Sequence, residues 1–335
     1  MREAPMLGCI DERELIMLGG LDVRLQGTYH RPRSGLSVAS GGNGRVGVLF
    51  VNSLSLPRAA SGDSAVHWAN GVAALGYPAF RIDLPGIGDS AGHASTDLLD
   101  RINAGELAPV TDAAIKELVS RFGLSGIVVF GHCAGSVSAV YAGAAARDCK
   151  GLILLDPYFH LPQAKRPKLR EELSGWARRS KVGGSLSNLY DRAKNLAMKT
   201  RGGGPPGNAN KQLLGCWKHV ASAGMPVLLL KAPGIKAQGT KPRVGEFDYI
   251  EYVLKLAGRR NCVSAAFVEG ADHSFANRAG RVAVQSHIAE WLAMHFPLRN
   301  SEVKNNTVPR GSKDSADSIE SKTADKEHCL VMEGR

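Results

Sequence analysis

The sequence predicts an α/β fold: a mostly parallel, doubly wound sheet with a helical cap inserted late in the chain. Three observations predict it. Short apolar runs at Val46–Val51, Gly126–Phe130, Gly151–Leu155 and Pro226–Leu230 alternate with stretches of helical periodicity. Gly126–Phe130 and Gly151–Leu155 are continuously apolar, as strands at the buried centre of a parallel sheet must be. Glycines stand at the ends of helices, at Gly76 and Gly123, and flank a sharp turn at Gly131 and Gly135.

In chain order, Glu14–Leu18 and Asp22–Tyr29 read as two short opening strands. A glycine-rich loop spans Ser34–Gly44. Gly42, Gly44 and Gly47 fit the spacing of a dinucleotide fingerprint, but that motif follows a strand and opens a helix, whereas these glycines precede Val46–Val51. Ala65–Leu75 is a helix and Pro78–Ile82 a strand. Pro109–Phe122 is an amphipathic helix with Ile115, Leu118, Val119 and Phe122 on one face and Thr111 as its cap. Ala134–Ala146 is a helix of small residues that can lie close to the sheet. Beyond Pro226–Leu230 come a helix at Tyr249–Leu256, a strand at Val263–Glu269, and a final helix with Val284, Ile288, Trp291 and Leu292 on one face. The expected organisation is one domain over residues 1–298, with the cap over about 158–219. From Arg299 to Arg335 the chain is poor in apolar residues and reads as a disordered tail.

With 335 residues, 44% of them apolar, a sizeable core can be buried. The start carries Arg2, Glu3, Asp11, Glu12 and Glu14, which is not the pattern of a secretory signal, and no apolar run reaches the roughly 20 residues of a membrane span. A cytoplasmic protein is expected. The six cysteines, Cys9, Cys133, Cys149, Cys216, Cys262 and Cys329, lie far apart without metal-ligand spacing, so free thiols and no metal are expected. The net charge is +11, and it is concentrated: between His160 and His219 stand thirteen Lys and Arg against three Asp and Glu. Such a segment is either a solvated helical surface or a basic surface for an anionic partner. It lacks the aromatic interleaving and reader motifs of a nucleic-acid binder.

The residues that carry chemistry begin with Gly131-His132-Cys133-Ala134-Gly135, between a buried strand and a helix. This is the form of a nucleophile elbow with cysteine at its apex. The glycines allow a sharp turn that lifts the side chain above the sheet edge. The following helix start favours thiolate, and the Ala134 amide becomes a candidate oxyanion donor. His273, in Ala271-Asp272-His273-Ser274-Phe275 after the last strand, is the expected base, while His132 is expected to pack. The expected acid is Asp248, in the loop after Pro226–Leu230 where folds of this kind commonly supply it, with Asp156 at the end of the preceding strand and Glu246 as alternatives. The order Cys, acid, His then holds. In Arg81-Ile82-Asp83-Leu84-Pro85-Gly86-Ile87-Gly88-Asp89-Ser90, Asp83 is expected to satisfy backbone donors in a tight turn.

Three segments, Gly47–Gly92, Gly126–Gly143 and Ala271–Phe275, resemble the serine-aminopeptidase-like (S33) α/β-hydrolases, and most of all the small hydrolases associated with exosortase and exopolysaccharide clusters. The resemblance spans about Glu14 to Phe296 and implies the α/β-hydrolase fold with a Cys133–Asp248–His273 triad and no cofactor. Two departures stand out. Cys133 replaces the usual serine, and Asn52-Ser53-Leu54 replaces the usual His-Gly, which leaves the amide of Ser53 or Leu54 as the second oxyanion donor. Cysteine elbows also occur in dienelactone hydrolases and polyhydroxyalkanoate synthases, but Ser136 breaks the synthase pattern.

A Cys–His pair implies acyl transfer through an acyl-cysteine. That intermediate is itself a thioester, so exchange from an acyl-CoA or acyl-carrier-protein thioester is nearly isoenergetic, whereas formation from an amide is uphill. The basic cap, with Arg178, Arg179 and Lys181, suits such an anionic donor. Hydrolysis and transfer to another acceptor are not separable by sequence. The rival reading is a non-catalytic binding protein of the same fold, with the basic segment as its docking surface.

Overall fold

The computed structural model describes residues 13–19, 23–33, 36–37, 45–161, 205–233, 247–258 and 262–300. Its centre is an eight-stranded sheet. The strands are β1 (Arg13–Leu18), β2 (Leu25–His30), β4 (Val46–Val51), β5 (Ala79–Ile82), β6 (Gly126–His132), β7 (Cys149–Leu155), β8 (Val227–Lys231) and β9 (Val263–Phe267). They lie in the order β1-β2-β5-β4-β6-β7-β8-β9. The first two join antiparallel and the other six run parallel. A separate two-residue ladder pairs β3 (Leu36–Ser37) with β10 (Arg299–Asn300). The chain thus remains paired to Asn300, past the point where the tail was expected to begin.

The helices are α1 (Ser64–Ala74), α2 (Leu98–Asn103), α3 (Ala108–Phe122), α4 (Ala134–Ala145), α5 (Lys211–Ser222), α6 (Tyr249–Ala257) and α7 (Arg278–His295). They sandwich the sheet. On one side Trp68 and Val72 of α1 pack with Val284, Ile288 and Trp291 of α7 against Phe50, Phe130 and Ile153. On the other, Ile115 and Leu118 of α3, Val137 of α4, Trp217 of α5 and Val253 of α6 cover Leu49, Val129 and Leu154. The alternate residues of one strand therefore feed two cores, which is why β4 and β6 are buried along their whole length.

Three expectations need correcting. Thr111 does not cap α3: the helix starts at Ala108, and Thr111 lies inside it, donating to the Leu107 carbonyl at 3.0 Å. The helix α2 had no clear periodicity and was not expected. The cap does not extend over 211–219, because α5 belongs to the body of the fold. Its Leu213, Leu214 and Trp217 are buried, and the Trp217 indole donates to the Val253 carbonyl at 2.8 Å. The inserted segment leaves and returns at one place, where His160 bridges Ala209, Leu161 donates to Asn208 and Asn210 donates to Phe159. Residues 162–204, with Arg178, Arg179 and Lys181, lie outside the described residues.

The strand order reverses between β4 and β6, since β5 lies on one side of β4 and β6 on the other. In an open parallel sheet the crevice beyond the strand ends at such a switch point is where ligands bind.

Candidate active site

The elbow stands at that switch point. Cys133 follows β6 and precedes α4, with φ 51° and ψ −113°, a conformation that a non-glycine residue holds only where its surroundings enforce it. Its amide donates to the Leu155 carbonyl at 2.8 Å, and its carbonyl accepts from the Ser136 amide at 3.0 Å. Both flanking glycines are obligatory. A Cβ at Gly131 would stand 2.3 Å from the Gly135 carbonyl oxygen, and one at Gly135 would stand 2.2 Å from the Val51 carbonyl oxygen on β4. Gly135→Ala must therefore push α4 off the sheet. It is expected to destabilise the protein by about 2–3 kcal/mol, in the range of overpacked cores. Thermal or urea unfolding reads this directly, and an unchanged midpoint would contradict the close approach.

Three strand ends converge on the Cys133 thiol. From the loop after β4, the Ser53 hydroxyl hydrogen-bonds to it. From the start of α4, the Ala134 amide does the same. From the loop after β9 comes the His273 ring. His273 turns Nδ1 to a carboxylate oxygen of Asp156, just past β7, which leaves Nε2 for the sulfur. The other oxygen of Asp156 is ion-paired with Lys231 at the end of β8. Asp156 and Lys231 meet because Leu155 and Leu230 are partners across β7 and β8, and the Asp156 amide donates to the Leu230 carbonyl at 2.7 Å.

The expected acid is thereby corrected. Asp248 is not at His273 but at the N-terminus of α6, where its carboxylate accepts from the Ile250 and Glu251 amides at 2.9 and 3.0 Å. It is spent on capping two of the amides a helix start leaves open. Glu246 lies outside the described residues. Lys231 was missed altogether. Its only sequence signal is that it ends an apolar strand adjacent to the one that Asp156 follows.

The charges are mutually reinforcing. Burial pushes the Cys133 thiol up, but the hydrogen bonds from His273 and Ser53, the His273 charge and the Ala134 amide together bring it below the usual thiol value. The bond to Asp156, then that to Cys133, raise His273 to about 10 against the opposing effect of burial. Burial likewise disfavours the Asp156 anion, and His273 and Lys231 outweigh it, so its carboxyl is held below the ordinary range. These shifts act in one sense, favouring the Cys133 thiolate, the His273 imidazolium and the Asp156 carboxylate. By contrast, burial pushes Cys149 up to about 12 and also raises Cys216.

His132 supports the His273 loop from beneath. It is buried, and its Nε2 donates to the His273 carbonyl at 2.7 Å while its ring packs edge-on against Phe275. Burial lowers its pKa, which keeps it a neutral donor. Asp272 closes the same loop, accepting from the Ser274 and Phe275 amides at 3.0 Å each and from the Ser274 hydroxyl at 2.6 Å. The Arg81–Ser90 turn is structural. Asp83 is wholly buried, accepts from the Arg58 amide at 2.5 Å and the Asp89 amide at 3.1 Å, and is ion-paired with the Arg58 guanidinium. Asp89 pairs with the same Arg58 and stands away from His273's partners.

Among the described residues no group of three His, Cys, Asp or Glu could hold a metal ion, and no helix is long and apolar enough to cross a membrane. A family model described as "Alpha/beta hydrolase family" matches residues 48–285. No curated protein sequence matches the chain. Many solved structures share its fold. An esterase of Pyrococcus furiosus is similar at TM-score 0.54 and 13% identity, over 85% of this chain and 91% of that one. DcsB in complex with a substrate analogue is similar at TM-score 0.55 and 14% identity, over 84% and 99%. The alpha/beta hydrolase GrgF from a Penicillium species is similar at TM-score 0.53 and 13% identity, over 84% and 98%.

Proposed function

This chain belongs to the alpha/beta hydrolase family and is a hydrolase; from that premise we propose that it works through Cys133, transferring acyl groups from thioesters or activated esters by way of an acyl-cysteine. The observation that carries this reading is the convergence on one sulfur of a histidine backed by Asp156, a hydroxyl and a helix-start amide. A cysteine kept only for packing would be a buried, protonated thiol, as Cys149 is.

In this reading the Cys133 thiolate attacks the carbonyl carbon. The oxyanion is met by the Ala134 amide and by the amide of Ser53 or Leu54. As the carbon–sulfur or carbon–oxygen bond to the leaving group breaks, His273 gives it the Nε2 proton. Water, or another acceptor, then attacks the acyl-cysteine while His273 takes a proton back and the thiolate leaves. Asp156 holds the ring orientation and stabilises the imidazolium. The intermediate being a thioester favours thioester donors over amides, and the basic segment containing Arg178, Arg179 and Lys181 favours an anionic donor such as CoA or an acidic carrier protein.

One experiment tests both parts. Intact-mass trapping with acyl-CoA and with a neutral acyl thioester is expected to show an acyl adduct that maps to Cys133. Adduct formation from the CoA donor should fall as the Debye length shrinks from about 10 Å at 0.1 M salt to about 3 Å at 1 M, while the neutral donor changes little. An adduct on another residue, or none, overturns the cysteine mechanism and leaves a hydrolase that works through another group. Equal salt response of the two donors overturns the anionic donor alone.

A further inference from the structure

The loop that carries Ser53 and Leu54 is held from behind by a buried network that the mechanism above does not use. The loop runs from Asn52 to Ala60, and its root lies against the elbow: a Cβ on Gly135 would meet the carbonyl oxygens of Val51 and Asn52 at 2.2 and 3.0 Å. Leu54 stands at φ 43°, a conformation that its own side chain disfavours. Within the loop, the Leu56 amide donates to the Ser53 carbonyl at 3.0 Å, and Asn52 Nδ2 donates to the Pro57 carbonyl at 2.6 Å. These bonds fix the shape of the loop. Its placement is fixed at the next residue, Arg58.

Arg58 is gripped along both its backbone and its side chain. Its amide donates to Asp83 Oδ1 at 2.5 Å, and its carbonyl accepts from Arg81 Nη1 at 2.9 Å. Its guanidinium pairs with Asp83 and Asp89, and its Nε donates to the Thr28 hydroxyl at 3.0 Å. Arg81 in turn donates from Nε to His30 Nε2 at 2.8 Å. A guanidinium only donates, so Nε2 is the acceptor, and His30 Nδ1 carries the hydrogen that goes to Asn70 Oδ1 on α1 at 2.7 Å. The sheet register makes this meeting possible. Thr28 and His30 share one face of β2, Arg81 lies opposite Thr28 across the ladder, and on its other side Arg81 lies opposite Phe50 near the end of β4.

The network is more than an adhesive for strands. Arg81 is 5% exposed and His30 1% exposed, and both acceptors of the Arg81 guanidinium are neutral. Burial, and then the nearby Arg58 cation, bring Arg81 down to about 10. A buried cation without a carboxylate in its grip is unfavourable, and apolar side chains would hold β2 to β5 at least as well. What apolar side chains cannot do is reach across β4 and β5 to hold the Arg58 carbonyl.

We infer that Arg81, held in place by His30, is a positioning residue for the oxyanion side of the site: through Arg58 it sets where the Ser53–Leu54 backbone stands relative to Cys133. This rests on the acyl-transfer reading above. Arg81 touches neither substrate nor sulfur. It acts by holding the loop whose amide is to meet the oxyanion, and preorganised donors are worth most when nothing has to move as the charge develops.

The test compares two reactions at the same sulfur in the full chain. Acylation by an N-acetylcysteamine thioester passes through an oxyanion. Alkylation by iodoacetamide forms a sulfur–carbon bond as iodide leaves, and builds no oxyanion. Both are read at a pH above the rising limb of each variant, so that Cys133 is thiolate throughout. Arg81→Gln and His30→Leu are expected to lower kcat for the thioester by about 100-fold, the loss that a misplacement of about 1 Å brings. KM should change little, because the oxyanion exists only beyond the ground state, and alkylation should change little for the same reason. His30→Gln offers Arg81 Nε an amide oxygen in place of the ring nitrogen and should recover most of the loss. Thr28→Val removes one acceptor from Arg58 and is the milder variant if Arg81→Gln and His30→Leu do not fold; it should show the same split on a smaller scale. Equal losses in acylation and alkylation, or a loss that His30→Gln does not recover, would mean that the network only holds the fold together. Unchanged kcat in a folded His30→Leu or Thr28→Val protein overturns the positioning role outright. A wild-type protein that iodoacetamide labels at Cys133 but no thioester acylates overturns the acyl-transfer reading itself, and this role with it.

Discussion

Cys133→Ala is expected to abolish adduct formation and to lower turnover by about 10⁶-fold, the scale on which a triad enzyme loses its nucleophile. The pH dependence of the intact protein should carry the signature of the pair. Because Cys133 is lowered from its ordinary value by His273, Ser53 and the Ala134 amide against the effect of burial, kcat/KM should rise with pH through an apparent value below that of the Asp156→Asn protein. Because His273 is raised to about 10, the rate should hold through the mildly alkaline range and fall only as the imidazolium is lost. The two apparent values belong to the coupled pair and not to either residue alone. Iodoacetamide used in limiting amount at neutral pH should label Cys133 ahead of Cys149 and Cys216, whose thiols burial pushes up. Labelling of Cys149 before Cys133, or full turnover by Cys133→Ala, would sink the assignment. The same pair bears on stability. His273 is raised above its unfolded value, so its contribution is complete below about 6.5 and is lost as pH climbs through about 10. Asp156 is depressed, so its contribution is present above the usual carboxylate range and is lost as pH falls below it.

The parts of the molecule that were legible in its sequence are those whose physics is local. The strands at 46–51, 126–132 and 149–155 are apolar because helices cover both faces, and that leaves a mark on every residue. The elbow was legible because two glycines are needed at fixed positions by contacts of 2.2 and 2.3 Å. Other features leave no such mark. Leu54, Cys133, Asp156 and Phe275 all adopt positive φ, and all four lie in the segments that follow sheet strands at the site. None is glycine, so nothing in the residue type betrays the conformation. There the surrounding hydrogen bonds, such as Cys133 to Leu155 and Asp156 to Leu230, enforce what the residue itself disfavours.

Function-bearing charge was the least legible. Asp156 and Asp248 each follow a strand of the parallel sheet, and only the third dimension says which one reaches His273. The decisive difference is a competing demand: the amides at the start of α6 occupy Asp248, whereas Asp156 sits just past a strand end with both oxygens turned to site residues. The basic segment was legible as charge, but its bearing on the site depends on residues 162–204.

Asp156→Asn should therefore lower turnover by about 10³- to 10⁴-fold, the loss seen when the acid of a triad is replaced by its amide. The reason lies in the ring and not in the fold. His273 Nδ1 must present its hydrogen to an acceptor for Nε2 to face the sulfur, and an amide can instead offer an N–H that selects the wrong tautomer. Without the carboxylate the imidazolium also loses its strongest support, so Cys133 should become less acidic and the rising limb of kcat/KM should move to higher pH. Asp248→Asn leaves the two α6 amides with an asparagine that caps about equally well, and should change turnover little. Lys231 sets the balance between these effects. Lys231→Met would free one oxygen of Asp156 and remove a cation from the site, which strengthens the hold on the His273 proton but weakens the thiolate. Both limbs should then move to higher pH, and Lys231→Arg should move them back. A folded Asp156→Asn protein with nearly full activity, alongside a damaged Asp248→Asn protein, would return the acid to the loop after β8. An Asp156→Asn protein whose amplitude falls with no shift in the rising limb would mean that the carboxylate only holds the strand ends together and does not act on the proton that His273 carries.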